Sequence, residues 1–350
     1  MSLLTNIPII NKARETLKER FSKEKISFGL DIGASAVKFA KLRFLKESIE
    51  LTGFSVEATQ VDVASVVKKI MQPHNAGKVN ISVSGPAAII RYVSFPRMQK
   101  QELEQSLKFE AQKHIPFSVN EVNLDAHILK EDLPDNKMMV LVAAAKQEMV
   151  NQRLKLIEEA GLKARLIDVD SIALMNSFNF NYADEENLKN KTIALVTIGT
   201  VQSSVNILEN GVPRLSRDIQ LAGNHFTQKI AEAFGLDFKE AEKLKCSLQA
   251  EKLARATQAV ETTLSNLARE IRVSFDYYES QSASSVEKIF LSGGGSKFAG
   301  LKESLAGILT IEVEYWDPLR KIIIADTVDA EKVKQSSSQL AVAVGLALRG

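Results

Sequence analysis

Two short stretches of this sequence carry residue types that could hold a polyphosphate. The first is Phe28-Gly29-Leu30-Asp31-Ile32-Gly33-Ala34-Ser35-Ala36-Val37-Lys38 and the second is Ala194-Leu195-Val196-Thr197-Ile198-Gly199-Thr200-Val201-Gln202-Ser203-Ser204. Each is an apolar run that ends on a polar residue, Ile and Gly, passes through a turn and re-enters a strand-like run. A glycine in a tight strand-to-strand turn lets backbone N–H groups face an anion with no side chain between. A carboxylate at the strand end, as at Asp31, can orient a hydrated Mg²⁺, which keeps several waters and takes few protein ligands. One Asp-x-Gly alone is an ordinary hairpin turn. Two in matching surroundings form a duplication at domain scale, spaced too widely for a solenoid. A third stretch, Ser292-Gly293-Gly294-Gly295-Ser296, stands between a strand-like and a helix-like run, where glycines admit close backbone approach to a planar or anionic ligand.

The elements around these turns repeat as well. Ile26–Ile32, Val37–Leu42 and Ile49–Phe54 read as three strands, and Ile193–Ile198, Ser204–Leu208 and Val212–Asp218 as three more, each rich in β-branched or aromatic residues and bounded by turns. After the first set the pattern predicts a helix over Val61–Met71 and strands over Val79–Val83 and Ile89–Phe95. A stretch of different texture follows from Pro96 to Gly161. It holds an amphipathic helix over Gln99–His114, strands near Val122–Leu129 and Met138–Ala144, and a helix over Gln147–Ala160 closed by Gly161. Leu166–Val169 then reads as a strand, Ser171–Phe178 as a helix and Asn179–Asn190 as a hinge or surface loop. After the second set come helices over Gly223–Phe234, Phe238–Lys245 and Glu251–Ser282, the last with Val260, Leu264, Leu267, Ile271, Phe275 and Tyr278 at helical spacing. Lys288–Leu291 reads as a strand and Ser338–Leu348 as a packed helix.

Composition bounds the reading. The 350 residues are 45% apolar and 25% charged with a net charge of +2, which suits two globular domains and gives no strongly basic nucleic-acid surface. A single cysteine, Cys246, excludes an internal disulfide framework and fits a reducing compartment. The four histidines, His74, His114, His127 and His225, lack metal-ligand spacing. No run of apolar residues is long enough for a membrane-spanning helix. In residues 1–25 the charges follow the apolar residues, the wrong order for a secretory signal. Ile10, Leu17 and Phe21 can share one face of a short basic helix that touches a membrane surface or a partner; a frayed terminus, or a helix that packs on its own domain, is the other reading.

The two turns and the glycine run, in that order, resemble the actin, Hsp70 and sugar-kinase superfamily. Within it, Gly29-Leu30-Asp31-Ile32-Gly33 with Ser35 and Val37-Lys38, Phe95-Pro96 leading into Glu110-Ala111-Gln112-Lys113-His114-Ile115-Pro116-Phe117, Phe234-Gly235-Leu236 with Ala241–Lys245, and Arg269–Arg272 with Tyr277–Gln281 resemble the type IV pilus assembly protein PilM family, relatives of the division protein FtsA. The resemblance runs from about residue 26 to the C-terminus. It implies an α/β, actin-like fold, a duplicated ribonuclease H-like core in two lobes with a small α+β insert. Residues 26–95, 162–190 and 336–350 would form the first lobe, 96–161 the insert, and 191–335 the second lobe with its helical part near 220–285.

The resemblance also implies ATP and Mg²⁺. Asp31 would hold Mg²⁺ through water, Lys38 would reach the β-phosphate, and Gly33, Ala34 and Ser35 would donate to phosphates. Thr197, Gly199 and Thr200 form the second phosphate turn. Gly293, Gly294 and Gly295 would lie against ribose and adenine, and Glu242 and Lys245 match the helix pair that brackets the adenosine. Asp170 falls where relatives place the residue that orients attacking water; a helix N-cap, which Ser171 could equally supply, is the other reading of it. One departure stands out: the family usually has an aspartate where this chain has Thr197. Losing a positioned carboxylate can cost orders of magnitude in rate and leave binding largely intact, so slow or absent hydrolysis is expected. The implied partner is the short cytoplasmic N-terminal tail of a PilN-like membrane protein, docked as an extended peptide beside the insert at the cytoplasmic face of the inner membrane. Other pilus components and self-association are compatible with the resemblance. An active, filament-forming FtsA-like ATPase, a secretion-system relative and a small-molecule kinase are the other readings of the same residues.

Overall fold

The computed structural model describes residues 25–59 and 62–350, in two compact units. One runs through Glu185 and resumes at Asp317–Gly350; the other is Glu186–Trp316. The basic amphipathic helix expected within residues 1–25 lies outside the described residues, apart from Lys25 itself.

The first unit opens with a meander of β1 (Lys25–Ile32), β2 (Ala36–Phe44) and β3 (Ile49–Ala58). Helix α1 (Val63–Met71) starts at Asp62, whose carboxylate accepts from the Ser65 N–H at 3.1 Å, and leads into β4 (Lys78–Val83). Then come β5 (Ala88–Pro96), α2 (Lys100–Ala111), β6 (Val122–Leu133), β7 (Lys137–Lys146), α3 (Gln147–Glu159), β8 (Lys163–Val169) and α4 (Asp170–Tyr182). In the main sheet β3, β2, β1, β4 and β8 are neighbours in that order. The meander is antiparallel, whereas β1, β4 and β8 run parallel, so their C-terminal ends share one edge of the sheet.

A second, three-stranded sheet has the order β5-β7-β6. Its residues Val93, Phe95, Met138, Val140 and Val142 pack on Leu103, Leu107 and Ala111 of α2. The strand at Ile89–Phe95, expected in the lobe core, is therefore part of the insert: it pairs along its whole length with β7. At the other boundary α3, expected inside the insert, lies against β8 and α1 as well as β7. The insert's own sheet begins before residue 96, because β5 needs β7 to satisfy its backbone.

The second unit repeats the plan. Strands β9 (Thr192–Ile198), β10 (Ser203–Glu209) and β11 (Val212–Ile219) form a meander, followed by α5 (Gly223–Phe234), α6 (Phe238–Cys246) and the long α7 (Ala250–Glu279). Val260, Leu264, Leu267, Ile271, Phe275 and Tyr278 of α7 are all buried, as their spacing predicts. Strand β12 (Lys288–Ser292), helix α8 (Leu301–Leu309) and strand β13 (Glu312–Tyr315) complete the unit. The sheet order is β11-β10-β9-β12-β13, with β9, β12 and β13 parallel. Strand for strand this is the order and direction of β3-β2-β1-β4-β8 in the first unit, which gives the duplication seen in the sequence a structural form.

The chain then returns to the first unit. Strand β14 (Ile323–Ile324) pairs parallel with β3, α9 (Ala330–Ser336) follows, and α10 (Ala341–Leu348) packs on α4, β1 and β2. The first unit thus resumes at residue 317, earlier than the 336 expected. Helix α4 runs to Tyr182 through part of the stretch expected as a hinge. Its buried Asn181 donates to the Ser177 and Pro318 carbonyls at 2.8 Å and accepts from the Lys321 N–H at 2.9 Å, so the returning segment satisfies it. Two close approaches seat α10: a Cβ on Gly29 would overlap the Ala343 carbonyl, and one on Gly345 the Ala173 carbonyl. The Asp168 carboxylate, wholly buried, faces Arg349 Nε at 3.4 Å and accepts from the Val169 N–H at 2.8 Å.

Candidate functional site

In the first unit the C-terminal ends of β1, β4 and β8 bring together Asp31, Ser82, Ser84 and Asp170. This is the edge at which parallel sheets take ligands. Asp31 lies opposite Lys38 in the β1–β2 register, and its Oδ2 is 3.1 Å from Lys38 Nζ. The turn between them closes with Gly33 N–H donating to the Ala36 carbonyl at 3.0 Å. Thr59 ties the turn to β3: its N–H donates to Ser35 O at 2.8 Å and its hydroxyl to Gly33 O at 3.1 Å. A Cβ on Gly33 would stand 2.5 Å from Lys38 Nζ, so a side chain there would push the ammonium off Asp31. Ala34 and Ser35 form the exposed tip.

Asp170 is the first residue of α4 rather than its N-cap, which is Val169. Burial and the nearby Asp31 charge raise its carboxyl above the usual range, against hydrogen bonds from Ser82 and Ser84 and the charge of Arg153. Arg153 also donates to the Ile32 carbonyl at 3.3 Å, bracing the turn from α3. Ser82, Ser84 and Arg153 escape a reading of the sequence. The only signal for the serines is their place at the end of β4, beside the strand that carries Asp31. Ser171, the other N-cap candidate, is buried inside α4 and does not cap it either.

In the second unit the matching turn has no carboxylate. Thr197 Oγ1 lies 2.9 Å from Ser292 Oγ at the ends of the parallel strands β9 and β12, a neutral hydroxyl pair. Gly199 N–H donates to Gln202 O at 3.1 Å, and a Cβ on Gly199 would lie 2.6 Å from that same oxygen. Gly293, at φ +89°, and Gly295 lie directly on the Ile198–Gly199 backbone, with no room for a side chain; a Cβ on Gly295 would stand 2.8 Å from Gly199 O. Gly294, between them, is exposed. The Gly199 and Thr200 carbonyls accept the first N–H groups of α5, from Gly223 at 3.0 Å and Asn224 at 2.9 Å.

Glu242 and Lys245, on α6, join the same cluster. Lys245 Nζ lies 2.6 Å from Glu242 Oε2 and donates to Gly223 O at 3.2 Å and Thr227 Oγ1 at 2.7 Å. Burial pushes the Glu242 carboxyl up, but hydrogen bonds from Lys245 and Thr227 outweigh it and hold the group below the usual glutamate range. Cys246 Sγ approaches Glu242 Oε1 at 3.6 Å. Thr227 and Gly223 were not singled out from the sequence, where a threonine in an amphipathic helix carries no signal of its own. Each unit therefore gathers its share of the expected residues: Asp31, Gly33, Ala34, Ser35, Lys38 and Asp170 in the first, and Thr197, Gly199, Thr200, Glu242, Lys245, Gly293, Gly294 and Gly295 in the second. Among the described residues no three of His, Cys, Asp and Glu gather as a metal-binding set. Asp31 with its neighbour Asp170 fits a hydrated Mg²⁺ that takes most of its remaining ligands from water and phosphate.

The profile of the type IV pilus assembly protein PilM family matches residues 29–350. The chain belongs to the PilM family. A solved PilM–PilN type IV pilus biogenesis complex is similar over 92% of this chain and 98% of that one, at 29% identity and a TM-score of 0.82. The ethanolamine utilization protein EutJ from Carboxydothermus hydrogenoformans shares the fold at 13% identity, with 97% and 100% of the two chains covered and a TM-score of 0.56. The actin-like fold expected for the PilM family is the one observed, with the two sheets as its duplicated cores. Among the described residues no helix is long and apolar enough to cross a membrane.

Proposed function

We propose that this chain is a nucleotide-holding scaffold of a type IV pilus assembly complex. It binds Mg-ATP, hydrolyses it slowly or not at all, and holds the cytoplasmic N-terminal peptide of a PilN-like protein at the inner membrane. Family membership and the similar PilM–PilN complex support the assembly role. The observation that carries the low turnover is the Thr197–Ser292 hydroxyl pair. Phosphoryl transfer to water needs positioned charge around the attacking oxygen and the metal, and this turn supplies none. The Asp31 turn keeps a carboxylate and a lysine, enough to orient Mg²⁺ and neutralise phosphate charge. Glycine at positions 33 and 199 lets each turn close tightly, its own N–H donating to Ala36 O or Gln202 O, which leaves an anion to the N–H groups at the tips of the turns.

One observation favours a second reading, an active ATPase. The raised Asp170 carboxyl, held by Ser82 and Ser84, has the properties of a group that accepts a proton from water. One experiment separates the two: Mg-ATP affinity and turnover for the wild type, Asp31→Ala and Asp170→Asn, with titration of a PilN-like N-terminal peptide alongside. The scaffold reading expects tight binding, weak turnover, and affinity lost in Asp31→Ala. Unchanged affinity in that variant removes the proposed site. Brisk wild-type turnover that vanishes in Asp170→Asn establishes the enzyme instead, and ATP-dependent pelleting would then identify a filament.

A further inference from the structure

Three groups converge on the buried hydroxyl of Thr227, in the second turn of α5. Lys245 Nζ donates to it at 2.7 Å, and Thr227 Oγ1 in turn contacts Glu242 Oε2 and, at 3.1 Å, Gly223 O. A hydroxyl has one proton to give. The ionised carboxylate is the stronger acceptor, so that proton goes to Glu242. The Gly223 carbonyl is left to Lys245, which reaches it at 3.2 Å. The three N–H groups of Lys245 then point at Gly223 O, Thr227 Oγ1 and Glu242 Oε2, the last at 2.6 Å, and its side chain is only 9% exposed. Glu242 is the open member of the pair, with its side chain 40% exposed. The arrangement differs from the sequence expectation, in which Glu242 and Lys245 both touch the nucleoside: Lys245 has no proton left for a ligand.

We propose that Thr227 is the positioning residue of this pair. It receives Lys245, donates to Glu242 Oε2, and so turns Oε1, which the weakly donating Cys246 thiol approaches at 3.6 Å, toward a vicinal diol such as that of a ribose, with Lys245 as an internal brace. The proposal rests on the nucleotide reading above. Diol recognition needs an acceptor fixed in direction, because a rotating carboxylate loses the advantage of two simultaneous hydrogen bonds. Without the Thr227 hydroxyl, Lys245 and Glu242 would still attract each other, but the carboxylate would be free to turn onto the ammonium.

The test is calorimetric titration of Mg-ATP and of Mg-2′,3′-dideoxy-ATP into wild type, Thr227→Ser, Thr227→Val and Thr227→Ala. Circular dichroism and a melting curve check that each variant is folded. The expected result is a preference for ATP on the order of tenfold in the wild type, the loss expected for leaving a charged acceptor unpaired. The ratio is kept by Thr227→Ser and falls to near one in Thr227→Val and Thr227→Ala. A ratio unchanged in the folded valine or alanine variant overturns the proposal. So does a wild type that binds both nucleotides equally, although nucleotide binding itself would then stand. A wild type that binds neither overturns the nucleotide reading and this inference with it.

Discussion

Replacing Asp168 with Asn tests the buried pair that seats the C-terminal helix. Burial raises the Asp168 carboxyl from 3.8 to about 6, while Arg349 and the Val169 N–H pull it down. A carboxyl with a raised folded pKa contributes its full stability at pH values below 3.8, where it is protonated in both states. That contribution is lost as the pH rises to 6 and the folded protein must accept a buried charge. The shift of about two pKa units at about 1.4 kcal/mol per unit corresponds to about 3 kcal/mol. Asparagine keeps an oxygen for the Val169 N–H and never ionises. The stability of Asp168→Asn relative to the wild type should therefore improve by roughly 2 kcal/mol between pH 4 and pH 7, the part of that change that falls in this window, whatever constant cost the lost Asp168–Arg349 contact adds. Asp170 titrates in both proteins, so its contribution cancels in the difference. Trp316 belongs to the other unit, so its fluorescence is the wrong reporter. Urea unfolding followed by hydrogen-exchange mass spectrometry of peptides from β8 and α10 reads the relevant unit. A wild-type-to-variant gap that stays flat from pH 4 to 7 would refute the burial argument.

Two other perturbations probe the second unit. Gly293→Ala combines a left-handed φ with overlap on the Ile198 backbone and should destabilise the unit by more than about 2 kcal/mol. Gly307→Ala, in open space within α8, should stabilise it by about 0.5 kcal/mol. Both are measured by unfolding followed through Trp316, and equal effects would show that the packing of Gly293 on Ile198 is not what holds that turn. Cys246, whose thiol is pushed up by burial and by Glu242, should be alkylated faster at pH 8 in Glu242→Gln, because removing the neighbouring carboxylate raises the thiolate fraction. A rate unchanged by the substitution would mean that Glu242 does not govern the thiol.

The strands of both meanders and the long α7 were legible because their signal is local. β-branched runs bounded by turns mark the strands, and six apolar residues at helical spacing mark α7. The segment 297–337 was not legible. Helix α8 is short and contains Gly307, and β13 alternates Glu312, Val313, Glu314 and Tyr315, where half the pattern is charge. Those glutamates exist to pair with Lys288 of β12, at 3.1 and 2.9 Å, a fact no window of sequence contains. The strand β5 could be seen but not placed, because its partner β7 lies more than forty residues on and only pairing assigns a strand to a sheet. In the site, the glycines and Asp31 announced themselves by turn chemistry. Ser82, Ser84 and Thr227 did not, because a hydroxyl acquires its role from what the fold sets beside it.

Gly29 and Gly345 also govern the order of events at the ribosome. Strand β1 is covered by α10, which is synthesised after the whole of the second unit, so the first unit cannot close until α10 has been made. The second unit is continuous from Glu186 to Trp316 and has all its partners as soon as it has left the exit tunnel. The half with the neutral turn is therefore expected to be finished while the half with Asp31 and Lys38 still lacks its closing helix. Chains arrested with residue 316 just clear of the exit tunnel and α10 still inside it should resist protease in the second unit and not in the first.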